Sequence, residues 1–135
     1  MTSAVLDTTT LVSGLGWAGV PGEVVDLGIA GRFTMISTRP LLKELGRVLR
    51  YPKISAHIAN PERLLLLIEA VSVVVDPERT LAVLEDEPDN RLLEAAETAG
   101  ADFIVSGDRA VLGLERFENS QVVSPRQFLE ELGSV

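Results

Sequence analysis

The strongest constraint on this chain is the regular alternation of short apolar runs with segments of helical periodicity. Several of the apolar runs are continuous rather than alternating, which is typical of strands covered on both faces. Such an alternation indicates β-α units joined into a parallel sheet. Five strands are predicted, at Ala4–Asp7, Phe33–Ser37, Val71–Asp76, Phe103–Ser106 and Gln121–Val123.

Helices are predicted between these strands from their terminal residues. Proline in a first turn and glycine just beyond a last turn mark helix ends, and serine followed three residues later by glutamine is typical of a capping box. Five strands and about six helices in 135 residues predict a three-layer α/β/α sandwich that forms one domain, 1–135. The predicted helices are Thr8–Leu15, Pro21–Ala30, Pro40–Arg50, one that opens at Asn60-Pro61, Asp89–Ala99, and one that opens at Ser124-Pro125.

The charge balance limits the partners that the chain can have. It carries 12 basic and 20 acidic side chains, a net charge of −8, and no cysteine. This balance argues against a general polyanion-binding protein, but it suits an enzyme that works through a cation, because carboxylates hold magnesium. The absence of cysteine excludes disulfides, thiolate catalysis and cysteine-ligated zinc. With no apolar run of about 18 residues and no signal-peptide pattern, a cytoplasmic protein without membrane contact is expected.

Acidic residues fall where parallel sheets bind ligands, at the carboxyl ends of strands. The first strand ends at Asp7 and the fourth runs into Asp108, so these carboxylates converge if the two strands are neighbours. Glu44 flanks the apolar stripe of the predicted helix Pro40–Arg50. Asp89 is the first residue of the predicted helix Asp89–Ala99. Each residue alone also fits a structural role as a helix cap, a first-turn acid or a surface acid. Together, four such acids would persist in one place only around a divalent cation.

Four sequence blocks, in order along essentially the whole chain, resemble the PIN-domain family, in the branch of toxin components of toxin–antitoxin pairs. The resemblance implies a parallel five-stranded sheet ordered 3-2-1-4-5, with the first and fourth strands adjacent. It also implies a ribonuclease that uses Mg²⁺ or Mn²⁺, an RNA substrate, a small antitoxin protein and a homodimer. The blocks are Val5-Leu6-Asp7-Thr8-Thr9-Thr10-Leu11-Val12-Ser13, Leu42-Lys43-Glu44-Leu45-Gly46-Arg47-Val48-Leu49, Asp86-Glu87-Pro88-Asp89-Asn90-Arg91-Leu92-Leu93-Glu94 and Ala101-Asp102-Phe103-Ile104-Val105-Ser106-Gly107-Asp108.

The resemblance assigns roles by position. Asp86 would be a further acid outside the metal ligands and Ser106 an accessory polar group. Which of Asp86 and Asp89 faces the metal stays open, and Asp89 is preferred because it keeps its offset from Asn90 and the helix. The catalytic and metal-binding acids would be Asp7, Glu44, Asp89 and Asp108.

Thr9 departs from the family pattern, in which an asparagine at this position helps to orient the first aspartate. A threonine hydroxyl cannot span the same distance, and losses of this kind lower metal affinity or activity by about 10–100-fold. The alternative interpretation is therefore a catalytically weak or inactive PIN-like interaction domain. A phosphatase with an aspartyl nucleophile is disfavoured, because its motif needs an aspartate where Thr9 stands.

One helix carries much of the basic character. Five basic side chains and a single acid lie between residues 39 and 53. The first four basic residues are spaced four, four and three apart, which lines them along one helix face. They are predicted to bind RNA phosphates, with a solvated helix face as the alternative. These residues are Arg39, Lys43, Arg47 and Arg50.

The segment at residues 14–19 has the letters of the dinucleotide-binding fingerprint G-x-G-x-x-G. It begins seven residues past the strand end instead of forming the strand-to-helix turn, so the fingerprint is rejected. We interpret the segment as a flexible loop beside the site. Within it, Trp17 is expected to pack on a neighbour, with contact to a base or a partner as the alternative.

Overall fold

The computed structural model describes residues 1–133, in which a six-stranded sheet forms the centre of the molecule. The order of strands across the sheet is β3-β2-β1-β4-β6-β5. All neighbouring strands are parallel except β5, which is antiparallel to β6. The strands are β1 (Ser3–Leu6), β2 (Thr34–Ser37), β3 (Ser72–Val74), β4 (Phe103–Val105), β5 (Arg116–Phe117) and β6 (Ser120–Val123).

The predicted α/β fold with a mostly parallel sheet is confirmed, and so is the adjacency of β1 and β4. The five predicted strands correspond to β1, β2, β3, β4 and β6, which follow the predicted order. The predicted count of five is wrong, because the two-residue strand β5 adds an antiparallel edge to β6. The turn between them contains Glu118 with a φ of 53°. Two residues are too few to show the alternation by which a strand is predicted.

The six predicted helices correspond to α1, α2, α3, α5, α6 and α8 of the structure. Two further helices, α4 and α7, have four residues each, too few for a helical period to be visible in the sequence. The helix predicted from Asp89 begins earlier, at Glu87, so Asp89 lies inside its first turn. The helices are α1 (Thr8–Gly16), α2 (Val20–Ile29), α3 (Arg39–Leu49), α4 (Pro52–Ser55), α5 (Pro61–Val71), α6 (Glu87–Ala99), α7 (Arg109–Leu112) and α8 (Pro125–Gly133).

Apolar side chains on the two faces of the sheet pack into two separate cores. On one face, Leu6 and Val105 lie in a cluster with residues of α1, α2, α3, α5 and α8. On the other face, Val5 and Ile104 lie in a cluster to which α6 contributes most of the helical residues. Successive residues of a strand point to opposite faces, so each central strand supplies both cores. The predicted three-layer arrangement is therefore present.

The first half of the glycine-rich segment at residues 14–19 is helical, and its interpretation as a loop is wrong for Gly14 and Gly16, which lie in α1. Gly19 precedes α2 as its N-cap residue. A Cβ atom built on Gly14 would meet the Val25 side chain and lie 2.7 Å from the Pro21 carbonyl oxygen. The missing side chain therefore lets α1 and α2 approach closely.

Replacing Gly14 with alanine is expected to lower the free energy of unfolding by about 1–3 kcal/mol, since the added methyl group overpacks the contact between α1 and α2. Denaturant unfolding followed by circular dichroism measures this loss. Gly22→Ala is the matched control, because its Cβ would lie 3.4 Å from the nearest atom, the Trp17 carbonyl oxygen, in ordinary contact. Equal losses in the two variants would contradict the packing argument.

The longest helix among residues 1–133 is α6, with 13 residues. In this part of the chain no helix is long and apolar enough to cross a membrane. The predicted domain, 1–135, reaches two residues beyond the described part of the chain, and its extent stays a prediction.

Candidate metal centre

An acidic cavity opens at the carboxyl ends of β1 and β4, which lie side by side with Leu6 opposite Val105. Asp7 follows β1 directly, and Asp108 follows β4 after two intervening residues. The cavity has a volume of about 410 Å³. Helix α3 and the start of α6 supply its remaining acids. The carboxylates that line it are Asp7, Glu44, Asp86, Asp89 and Asp108.

Three of these acids are close enough to share one ion. One carboxylate oxygen from each of Asp86, Asp89 and Asp108 lies within 4.8 Å of the other two. Asp86, which was expected outside the metal ligands, thus stands beside Asp89 rather than behind it. Asp7 and Glu44 line the same cavity but do not belong to this trio. The structure therefore brings all four acids predicted as metal ligands to one cavity, and adds Asp86.

Asp7 is held by hydrogen bonds to both of its carboxylate oxygens. The Thr10 backbone N–H donates to Oδ1 at 2.8 Å, which makes Asp7 the N-cap of α1 as well. The Ser106 hydroxyl donates to Oδ2 at 2.6 Å and accepts the Asp108 backbone N–H at 3.0 Å. Ser106 is fully buried. Its side chain therefore sets the position of Asp7 relative to the segment that carries Asp108.

Glu44 projects from α3 beside the cavity and is held by the residue next to Asp7. The Thr8 hydroxyl donates to Glu44 Oε2 at 2.7 Å. On its other side, Arg47 Nη2 lies 3.7 Å from Glu44 Oε1. Thr9 also lines the cavity, but its side chain makes no hydrogen bond within residues 1–133. Thr8 is thus the positioning threonine, and sequence reasoning missed it by comparing only Thr9 with the family motif.

The carboxylates of the cavity repel one another at Asp89. The pKa of Asp89 is raised to about 6, first by burial and then by the negative charges of four neighbours. Its Oδ2 atom is buried and has no hydrogen-bond partner among the described residues. A buried carboxylate oxygen without a partner is costly. The four neighbours are Asp108, Asp86, Asp7 and Glu44.

This arrangement fits a divalent cation that prefers hard oxygen ligands. Mg²⁺ and Mn²⁺ are bound by carboxylates and keep several water ligands. A cation beside the Asp89 Oδ2 atom would supply the missing partner and neutralise the repulsion that raises the Asp89 pKa. The donor set and the cavity thus suit a divalent metal cofactor.

Side chains of α6 hold residues 81–84, which precede the acids at the start of α6, by hydrogen bonds. Asn90 Oδ1 accepts the backbone N–H groups of Val83 and Leu84 at 3.0 and 2.8 Å, and its Nδ2 donates to the Leu84 carbonyl at 2.8 Å. One turn later, Glu94 accepts the Leu81 backbone N–H at 2.8 Å. Asp86 lies two residues after Leu84, so these hydrogen bonds help to position the Asp86 carboxylate at the cavity. In the sequence, Asn90 was noticed through its place in the family block. No sequence pattern indicated the structural role of Glu94.

A second, basic groove of about 650 Å³ adjoins the acidic cavity, and Glu44 lines both. Three of the four residues predicted to bind RNA line this groove, namely Lys43, Arg47 and Arg50, together with Arg91 from α6. Arg39 lies outside it, with its guanidinium 2.6 Å from Glu69 of α5. Sequence reasoning missed Arg91, because its place beside α3 depends on how α6 packs.

Replacing Ser106 with alanine is expected to weaken binding of Mn²⁺ by about 10–100-fold, since Asp7 loses the hydrogen bond that orients it. Isothermal titration calorimetry measures this change. Ser120→Ala is the matched control: Ser120 is also buried, but its hydroxyl donates to the Ala101 carbonyl at the opposite end of β4. Ser120→Ala should lower stability without changing Mn²⁺ affinity. Equal weakening in both variants would contradict the role of Ser106.

The fold and the cavity together define an α/β domain with an acidic centre suited to a divalent cation. The family model described as "PIN domain" matches residues 3–110, and the chain belongs to this family. PIN domains are typically metal-dependent nucleases, and the acidic trio agrees with that class.

Two known proteins resemble the chain over most of its length. The uncharacterized protein MJ1680 of Methanocaldococcus jannaschii is 31% identical over 94% of this chain and 89% of the relative. The crystal structure of PAE2754 from Pyrobaculum aerophilum superposes with a TM-score of 0.65 at 16% identity, covering 99% of this chain and 91% of the other. The second similarity concerns the fold alone.

Proposed function

We propose that this protein is a metal-dependent endoribonuclease that hydrolyses RNA phosphodiester bonds, and that it is the toxin of a toxin–antitoxin pair. One observation carries the proposal: five carboxylates from separate parts of the chain line one cavity, where a buried oxygen of Asp89 lacks a partner. Such a cluster is stable around a cation and costly without one. Membership of the PIN-domain family supports a nuclease.

The residues of the cavity would divide the work as follows. Asp86, Asp89 and Asp108 would hold Mg²⁺ or Mn²⁺, which, when bound, lowers the pKa of water and stabilises negative charge on a phosphate. Asp7 and Glu44 line the same cavity and would complete the set of metal ligands, each kept in place by a hydroxyl group. The chain has no cysteine to act as nucleophile. Attack by water would leave a 5′-phosphate and a 3′-hydroxyl on the products.

Metal titration of the purified protein tests the proposal. Mg²⁺ or Mn²⁺ should raise the midpoint of thermal unfolding, by a stabilisation of about 2.7 kcal/mol at a hundred times the dissociation constant. The same ions should permit cleavage of single-stranded RNA, and EDTA should abolish it. A thermal shift without cleavage would favour the interaction-domain alternative. If the ions cause neither a thermal shift nor RNA cleavage, the metal centre is rejected.

The alternative of a weak or inactive interaction domain rests on Thr9. Against it, both oxygens of Asp7 already accept hydrogen bonds, from Ser106 and from the Thr10 backbone, so the orienting role does not depend on position 9. Thr9→Asn should therefore change Mn²⁺ affinity by less than about threefold, well below the usual effect of a lost orienting residue. A gain of tenfold or more would support the alternative.

The basic groove would bind the RNA backbone. Replacing Lys43 and Arg47 with glutamine removes two positive charges, and the slope of log affinity against log salt should become less steep by about 1.4 for single-stranded RNA. Fluorescence anisotropy in EDTA measures the slope without cleavage. Arg32→Gln with Arg126→Gln removes the same charge from exposed positions away from the groove. An equal change in that control would reject the groove as the RNA site.

The partners and the location of the protein complete the proposal. A small antitoxin protein would neutralise the enzyme with a tail that fills the acidic cavity, and the toxin would act in the cytoplasm as a homodimer. A short reading frame next to the gene, encoding a DNA-binding head, is expected. Co-expression of that frame should abolish RNA cleavage by the purified complex. Unchanged cleavage in the complex would reject an inhibitory partner.

A further inference from the structure

We propose that the groove lined by Trp17, which adjoins the acidic cavity at Glu44, is a nucleobase site, in which Trp17 stacks on a base of the single-stranded RNA. The inference rests on the proposed function for its ligand, RNA. The groove has a volume of about 390 Å³ and shares Thr8, Thr9 and Glu44 with the acidic cavity. A strand that crosses the metal centre would therefore enter this groove without leaving the surface.

The chemistry of the groove suits a flat ring with polar edges. Val12, Val48 and Ile54 supply apolar surface, and Ser13 supplies a hydroxyl group at the wall. Its one acid, Glu44, already accepts the Thr8 hydroxyl at the boundary with the acidic cavity. Bases in single-stranded RNA stack on aromatic side chains and hydrogen-bond through their exposed edges.

Trp17 is placed to receive such a ring. It follows α1 as its C-cap residue, about 15 Å along the helix from Asp7. Its side chain is 42% exposed although it is large and aromatic. The His57 ring lies 5.3 Å away, tilted by 49°, and limits the orientations of the indole. Held but exposed, Trp17 resembles the aromatic platforms on which single-stranded nucleic acids stack.

Charge explains why RNA is the favoured occupant over a protein segment. Glu44 lines the basic groove, the acidic cavity and the Trp17 groove, so all three adjoin one another at this side chain. Phosphates would lie over Lys43 and Arg47, the cleaved bond at the acids, and a base against Trp17. Single-stranded nucleic acids are bound by basic surface, which contacts the phosphates, and by aromatic side chains, which stack on the bases.

Fluorescence of the native protein tests the inference, because Trp17 is its only tryptophan. The probe is a short oligouridylate in EDTA, with an abasic oligomer of equal length and charge as the control. Oligouridylate should quench the emission and bind about 5- to 150-fold more tightly than the abasic oligomer. Equal affinity for the two probes would overturn the inference.

Matched variants separate stacking from folding. Trp17→Leu should weaken oligouridylate binding by the same factor, and Trp17→Phe should retain part of the affinity. Tyr51→Leu, at a similarly exposed aromatic outside the groove, should leave binding unchanged. Thermal midpoints confirm that each variant folds. If Trp17→Leu changes the sedimentation of the protein but not its RNA affinity, the groove binds protein instead.

The outcome is distinguishable from failure of the proposed function. Quenching by oligouridylate in a protein that never cleaves RNA would support the base site and reject the nuclease. If the protein cleaves RNA but oligouridylate does not change its Trp17 fluorescence, the base site is rejected and the proposed nuclease activity is supported.

Discussion

Asp89→Asn is expected to raise the thermal midpoint of the metal-free protein at pH 8 and to remove its further rise with Mn²⁺. Burial and four neighbouring carboxylates raise the Asp89 pKa to about 6. Above that pH the native state holds a charge that it disfavours, so asparagine relieves a repulsion. The same change deletes a proposed metal ligand, and RNA cleavage should fall by about 100-fold or more.

The pH dependence fixes the sign of this effect. A carboxyl with a raised native pKa stabilises the fold below its unfolded pKa of 3.8, and this contribution is lost as pH rises through about 6. The gain in Asp89→Asn should therefore vanish near pH 4 and be complete by pH 7. Asp26→Asn, at an exposed position on α2, should show neither effect. If Asp89→Asn raised the thermal midpoint equally at all pH values, the gain would not come from the ionisation of Asp89.

Glu94→Ala is expected to lower the free energy of unfolding by about 3–5 kcal/mol, which corresponds to a fall of about 10–15 °C in the thermal midpoint. Glu94 is buried, with Oε2 2.8 Å from Arg91 Nη2 and 2.8 Å from the Leu81 backbone nitrogen. Removing it leaves the half-buried Arg91 charge and the Leu81 N–H without that partner. Differential scanning calorimetry measures the loss.

Two further variants isolate the buried charge. The double replacement Arg91→Met with Glu94→Leu should recover much of the stability, because it removes the Arg91 charge together with its buried partner. Glu62→Ala breaks an ion pair with Arg50 in which both side chains are more than half exposed, and it should cost little. If the double variant is as unstable as Glu94→Ala, the loss comes from packing rather than from the broken ion pair between Arg91 and Glu94.

Sequence patterns predicted the sheet well because buried parallel strands are continuous apolar runs, and β1 and β4 are such runs. The convergence of Asp7 and Asp108 followed from their places at strand ends. The trio of Asp86, Asp89 and Asp108 was harder to foresee, because the place of Asp86 depends on how the preceding segment packs against Asn90. Short elements such as β5 and α7 have too few residues for a period to show.

Tertiary packing decides the rest of the centre. Thr8 and Thr9 have the same side chain, and only the approach of α3 determines which of them contacts Glu44. Arg91 likewise joins the basic groove because α6 lies beside α3. Such assignments need coordinates, since spacing along the chain places a residue on a helix face but does not identify the neighbour across it.

The acids of the cavity come from positions spread over about three quarters of the chain. Asp7 stands near its beginning and Asp108 about a hundred residues later, joined through Ser106. A ribosome must therefore synthesise β4 and release it from the exit tunnel before the two can meet. The nascent polypeptide therefore cannot assemble the complete acidic centre during most of its own translation.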